Sequence, residues 1–325
     1  MIRFSAFAVA AAAIAACSAY FNFNSYLTSL IVFAAVHALL CLGFYVIFGL
    51  TGILSLAHAA FMAIGAYASG ILSTRYGWPF PAAVVSAILI AGATGALLGI
   101  PTLRLKSHYL VLVTIAFSEV MRQLIANVDS LTGGVQGMNL TWSSRFWGID
   151  FANPHVYLLL CLLILAGCIG ALLRLRDTRI GRSLEAIRDD ELAANVMGVD
   201  TTYFKILAFV VSAGIAGLAG ALYAHFVVFL SPEHFTFDIT ILVLAMAVTG
   251  GKRSIAGVVI GAIILTFLPE VLRGLKDWYP TVYGLLLLLV LWFAPTGLVG
   301  KLHELWSARR HRQASPIPLE NGLTK

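Results

Sequence analysis

The chain has 325 residues, of which 60% are hydrophobic and only 11% charged, whereas an ordinary soluble domain carries roughly 25% charged residues. With a mean hydropathy of +0.92, so much apolar surface cannot be hidden in one water-soluble core, and lipid must cover part of it. The composition specifies an all-α, polytopic helical membrane protein, and the net charge of +6 does not describe a nucleic-acid surface, because its basic residues sit in short loops between apolar runs, where they orient helices.

Measured against the roughly 20 residues that cross a bilayer core, the apolar stretches fall near 4–21, 27–49, 52–73, 81–100, 108–127, 155–173, 204–228, 238–250, 255–270 and 280–298. This gives about ten segments, and 238–250 and 255–270 are short enough to be tilted, re-entrant or broken. The first, with Arg3, an apolar run and the small residues of Ile14–Cys17, fits either a retained helix or a cleaved signal. Residues 1–26 therefore form an N-terminal helix and outer loop, 27–300 the transmembrane domain, and 301–325 a polar, disordered cytoplasmic tail.

The stretch LTGILSLAHAAFMAIGAYASGIL (50–72) is apolar, yet it holds Ser55, His58 and the glycines Gly52, Gly65 and Gly70, with Gly49 just upstream. Small residues let helix backbones approach closely in lipid, and Gly95/Gly99, Gly257/Gly261 and the run 212–224 repeat the pattern. His58 reads either as a buried neutral histidine hydrogen-bonded to a neighbouring helix or as part of a translocation route. No second ligand lies at metal-binding spacing. The four cysteines (Cys17, Cys41, Cys161, Cys168) all lie in apolar runs and read as small hydrophobic residues.

Segment 108–127 contains Glu119 and Arg122, three apart and so on one helical face. A charge at a helix centre costs about 2.5–3.5 kcal/mol. The pair is read either as a local salt bridge near the outer interface or as a pathway lining. The following loop, 128–153, is rich in Gly, Ser and Asn, and its Trp142 and Trp147 suit a membrane interface.

With the N-terminus inside, 16 of the 21 Lys and Arg fall in cytoplasmic segments, and this asymmetry sets both termini in the cytoplasm. One cytoplasmic loop is substantial, 174–205. In it Glu185 precedes Asp190, which caps a short helix with Glu191 in its first turn, while Gly198 stands where a terminator belongs. Leu192 and Val196 share a face of that helix. It is either a docking element for another protein or a solvated connector. No phosphate-cradling loop with its Lys is present, and GGKRS at 250–254 lacks the required spacing. Nor is there a nucleophile–base–acid set, so the sequence describes no enzyme and requires no cofactor.

LAANVMG (192–198) resembles the Glu-Ala-Ala…Gly docking loop of ABC-importer permeases, with Leu192 at the Glu position, Glu191 just before it, and Ala193 and Ala194 following. More widely, TGILSLAHAAFMAIGAYAS, YLVLVTIAFSEVMR, DSLTGGVQGM, RSLEAIRDDELAANVMGVDTTYFK and GGKRSIAGVVIGA resemble, in order over about 27–300, the LivM-type permeases of branched-chain amino acid importers. The resemblance implies a permease subunit in a bacterial inner membrane, transporting leucine, isoleucine and valine. Its implied partners are a homologous second permease, two ATP-binding cassette ATPases and an extracytoplasmic binding protein. Urea, short amides or other amino acids are alternative substrates. A stand-alone secondary transporter would be expected to place more ionisable groups at mid-membrane.

Overall fold

The computed structural model describes residues 25–102, 107–142, 145–146, 149–273, 281 and 284–285. The expected segment 4–21, nearly all of 280–298 and the tail 301–325 lie outside the described residues.

Helix α1 (Ser25–Phe44) runs without interruption into a π-helical turn, Tyr45–Leu50. The wide turn brings the backbone against its neighbours: a Cβ on Gly49 would lie 2.5 Å from the Lys252 carbonyl oxygen and from the Tyr45 ring. Thr51 then donates its hydroxyl back to the Ile47 carbonyl. The expected span 52–73 does not form as one helix. Gly52 takes a positive φ of 72°, which turns the chain out of the helical path, and residues 52–57 carry no regular structure. Helix α2 begins only at His58 (His58–Tyr76). The break expected in a short late segment lies here instead.

Helices α3 (Phe80–Thr102) and α4 (Ser107–Asn127) follow. The connecting loop contains a single helical turn, α5 (Asp129–Thr132), and three two-residue strands: β1 (Met138–Asn139), β2 (Arg145–Phe146) and β3 (Ile149–Asp150). α6 (Pro154–Asp177) leads into two amphipathic helices, α7 (Arg179–Asp189) and α8 (Glu191–Val196). α9 (Thr201–Val227) ends at β4 (Phe229–Leu230), which pairs antiparallel with β1 and ties the loop to the bundle. A 3₁₀ turn, Pro232–Phe235, precedes α10 (Phe237–Gly250) and α11 (Ile255–Val271).

Among the described residues, six helices are long and apolar enough to cross a membrane: Ser25–Leu50, Phe80–Pro101, Tyr109–Asn127, Pro154–Asp177, Thr201–Val227 and Pro232–Gly250. The stretch expected at 238–250 reaches spanning length because the 3₁₀ turn extends it. α11 is shorter, and α2, which contains the buried polar residues His58, Ser69 and Ser73, is not among the six.

α9 is the central post, packed along α1, α2 and α3. Its small residues permit this. A Cβ on Gly65 of α2 would meet the Gly217 carbonyl oxygen at 2.2 Å, and one on Gly220 would meet the Met62 carbonyl oxygen at 1.9 Å. The run 212–224, whose small residues the sequence marks for close helix approach, makes that approach inside the chain. Gly95 approaches the Phe209 backbone in the same way, and Gly257 and Gly261 bring α11 onto α10. Such contacts rest on dispersion and close approach, since lipid supplies no hydrophobic drive between helices. The exposed face of α3, with Val85, Leu89, Leu97 and Ile100, is wholly apolar and suits lipid.

Candidate functional site

Residues 52–57 place unwound backbone inside the bundle, where each N–H and C=O needs a protein partner. Side-chain hydroxyls from two other helices meet part of that need. Leu56 N donates to Thr114 Oγ1 at 3.0 Å, and Ser118 Oγ donates to the Leu56 carbonyl at 2.9 Å. Ala59 N, an orphan donor in the first turn of α2, reaches Thr240 Oγ1 of α10 at 3.1 Å. Ile53 N finds the Ile47 carbonyl at 3.2 Å. Thr114 and Ser118 stand four apart on α4, so one stripe of that helix serves both polar atoms of Leu56.

His58 sits at the start of α2, wholly buried, with Nε2 3.0 Å from Ser212 Oγ on α9. The Phe44 ring packs edge-on against it at 5.0 Å. Ser212 is 11 residues along α9, or about 16 Å from that helix's beginning at 1.5 Å per residue. The histidine therefore fastens the beginning of α2 at mid-bundle depth. Ser55 Oγ, also fully buried, has no hydrogen-bond partner among the described residues. Free polar capacity and the positive end of the α2 dipole thus lie a few residues apart.

At the arginine-rich end of the bundle, Asp190 caps α8, its Oδ1 accepting from Leu192 N at 2.9 Å and Ala193 N at 3.0 Å. Gly198 closes the helix at φ 85°, with Val199 N returning to the Ala194 carbonyl at 3.0 Å. Ala194 is buried beneath the helix, while Ala193, Leu192, Val196 and Met197 are exposed, Val196 to 87%. Glu191 pairs with Lys205 at the start of α9, and Glu185 of α7 with Arg176 of α6 at 3.1 Å. These ion pairs hold α7 and α8 on the bundle and leave the apolar face of α8 outward.

Sequence reasoning did not single out Arg188. Its Nη1 donates to the Gly49 carbonyl at 3.0 Å, and its Cγ lies 3.0 Å from where a Cβ on Gly52 would stand. The last turn of α7 is thus fixed to the point where α1 ends and the unwound segment begins. Lys252 approaches the same place from the α10–α11 turn, with its Nζ 5.1 Å from the centre of the Phe48 ring. Thr114, Ser118, Ser212 and Thr240 were missed as well. Their only sequence signal is a hydroxyl inside an apolar run, which helices commonly absorb by bonding their own backbone.

Glu119 and Arg122 do pair, through Nη2–Oε1 at 2.6 Å and Nε–Oε2 at 3.1 Å. Glu233 joins from the 3₁₀ turn at 3.4 Å, and Gln123 Nε2 donates to Glu119 at 3.0 Å. This cluster is separate from His58. At the loop end of the bundle a cavity of about 300 Å³ is lined by Trp142, Phe151, Tyr157, His225 and neighbours. Trp142, expected to suit a membrane interface, packs on the Phe80 and His225 rings, at 5.3 and 4.8 Å.

A helical membrane bundle with an interrupted helix near its centre, fastened to a capped amphipathic pair at one end, is built as a transport domain. The family model described as branched-chain amino acid transport system / permease component matches residues 26–294, and the chain belongs to that family. It is 34% identical to the high-affinity branched-chain amino acid transport system permease protein LivM of Escherichia coli over 81% of this chain and 68% of the relative. The Salmonella typhimurium LivM matches to the same extent. The E. coli LivH permease protein is 27% identical over 83% of this chain and 93% of its own length. No solved structure matches.

Proposed function

We propose that this chain is the transmembrane permease subunit of an ATP-driven importer for leucine, isoleucine and valine. The observation that carries the proposal is the family match across 26–294, which includes both the interrupted helix and α7–α8. ATP hydrolysis belongs to two separate ATP-binding cassette chains, and an extracytoplasmic binding protein delivers the amino acid to the loop end. The described bundle, together with the apolar stretches outside it, makes ten segments in a bacterial inner membrane with both termini cytoplasmic. The Lys/Arg bias supports that orientation.

In this reading α8 presents Leu192, Val196 and Met197 to the ATPase, and Gly198 keeps the end of the helix in shape. A shift of α8 pulls α7, and Arg188 passes it to the Gly49 carbonyl and the unwound segment. The partners bind the inward and outward states with different affinities, and this difference drives the exchange between them. Around His58 the route opens and closes by movement of a helix that is already broken there, so no helical hydrogen bonds need to be made or lost.

The test is reconstitution in proteoliposomes with the second permease, the ATPases and the binding protein. Leucine uptake that requires ATP and is competed by isoleucine and valine is the expected result. Competition by urea or short amides alone would reassign the substrate. Gradient-driven uptake by this chain alone would favour a secondary transporter.

A further inference from the structure

We propose that the exposed face of α4 lines a water-filled route, and that Arg122 and Glu233 at its edge hold the two charged ends of a zwitterionic, apolar α-amino acid. The proposal rests on the permease reading. α4 is the least covered of the six spans, with 28% of its apolar stretch buried against 44–78% for the others. Thr114 and Ser118 face inward and serve the unwound segment. On the outward face Asn127, Gln123, Glu119, Ala116 and Leu112, all exposed, form one line at helical spacing.

Lipid does not suit this line. Asn127 Nδ2 donates to the Gln123 carbonyl at 2.7 Å and Gln123 Nε2 to Glu119 Oε1 at 3.0 Å, so polar groups continue from the loop end of α4 inward to Glu119. Glu119 stands about 12 Å from that end at 1.5 Å per residue, and it directly follows Ser118, which bonds the Leu56 carbonyl. The charge therefore lies at the depth of the unwound segment, where an ionised group calls for an aqueous or protein neighbour. A polar line open at the helix end admits water. Ser55 Oγ, one residue before Leu56, is buried without a hydrogen-bond partner among the described residues, which leaves polar capacity where the line ends. The exposed face of α3 shows the contrast, since Val85, Leu89, Leu97 and Ile100 are all apolar.

The ligand class follows from which charges are committed and which are loose. Glu119 is committed within its own chain, by two bonds from Arg122 at 2.6 and 3.1 Å and one from Gln123. Its role is to position the guanidinium. Glu233 reaches Arg122 Nη1 through one contact at 3.4 Å, and its side chain is 68% exposed. A carboxylate placed against Arg122 Nη1 and an ammonium placed against Glu233 would replace that one long contact with two charge-assisted hydrogen bonds. An α-amino acid carries both groups on one carbon. Inward of the cluster the line turns apolar, with Ala116 and then Leu112, 62% exposed. A ligand with a charged head and an apolar side chain matches both halves, the polar groups fixing its orientation and the apolar surface taking its body.

The experiment uses the complete complex in membranes, with the native cysteines of this chain replaced and a single cysteine at Ala116 or, as a control, at Leu97. Charged, water-soluble thiol reagents added from the outer side should modify Ala116→Cys and not Leu97→Cys. A cationic reagent should react faster than an anionic one at 116, and Glu233→Gln should narrow that difference. Leucine should slow the reaction at 116 more than isocaproate, which lacks the ammonium, or isoamylamine, which lacks the carboxylate. In Glu233→Gln the leucine concentration that gives half protection should rise about tenfold, as loss of one charge-assisted hydrogen bond implies. No reaction at 116, or the same rate with and without leucine, would overturn the proposal. If the complex imports leucine while 116 stays unprotected, the permease reading stands and this site fails. If leucine protects 116 but is not imported, the site stands and the permease reading fails.

Discussion

The Arg188 guanidinium donates to the Gly49 carbonyl at 3.0 Å, joining residues 139 positions apart in sequence. One end of this bond is the last turn of α7, immediately before the cap of α8, and the other is the π turn from which the chain leaves helical form. A charge-assisted hydrogen bond of this kind contributes about 1.5–3 kcal/mol, comparable to the roughly 1–3 kcal/mol by which two conformations are typically coupled. Arg188→Ala should therefore leave membrane abundance normal and reduce substrate-stimulated ATP hydrolysis, measured in the reconstituted complex against the basal rate. Arg188→Lys, which keeps one donor but loses the planar fork, should retain part of the stimulation.

Gly198 has φ 85°, and an added Cβ there would meet no atom within 4 Å. The cost of a side chain is thus backbone strain alone, about 1–2 kcal/mol. Gly198→Val should distort the end of α8 and displace Leu192 and Val196, giving intact membrane insertion with lost ATPase stimulation. Gly198→Asn, which tolerates the left-handed region, should keep most of it. Equal activity of the two variants would make the loop a connector.

Gly220 and Gly167 separate two uses of glycine within one membrane domain. A Cβ on Gly220 would come within 1.9 Å of the Met62 carbonyl oxygen, whereas at Gly167 it meets nothing within 4 Å. Gly220→Ala should force α2 off α9 and lower the detergent melting temperature by several degrees. Gly167→Ala, inside α6, should be neutral or stabilising by up to about 1 kcal/mol.

The bundle was legible because apolar length and helix caps are local properties. The α3, α4, α6 and α9 boundaries lie within a few residues of the apolar stretches, and Asp190 and Gly198 bracket α8 by chemistry that acts over one turn. The break at 51–57 was not legible. Within it Leu56 is served by Thr114 and Ser118, and Ala59 just beyond it by Thr240, all from other helices, and no pattern within 50–72 reveals what lies opposite. The small residues of 212–224 pointed to close packing correctly, but their spacing does not say whether the partner helix is in the same chain. Arg188 looked like one more loop cation, because a bond to a distant carbonyl leaves no trace in sequence.

Thr240 gives a direct check on how α2 starts after the unwound segment. Thr240→Val keeps the shape but removes the acceptor for Ala59 N, leaving a buried donor unpaired at a cost of about 1–3 kcal/mol. The melting temperature should fall for Thr240→Val and recover with Thr240→Ser, which restores an oxygen at the same place. If Val and Ser behave alike, Ala59 N does not depend on this hydroxyl.

The central claim is that α7–α8 moves the unwound segment through Arg188, and a cysteine at Ser55 reads it directly. In a chain whose four native cysteines are replaced, Ser55→Cys would be labelled with a small thiol reagent in the full complex, with and without ATP trapped on the ATPases. The account predicts that trapping changes the labelling rate when Arg188 is present and leaves it unchanged in Arg188→Ala. An identical ATP-dependent change in both backgrounds would contradict it.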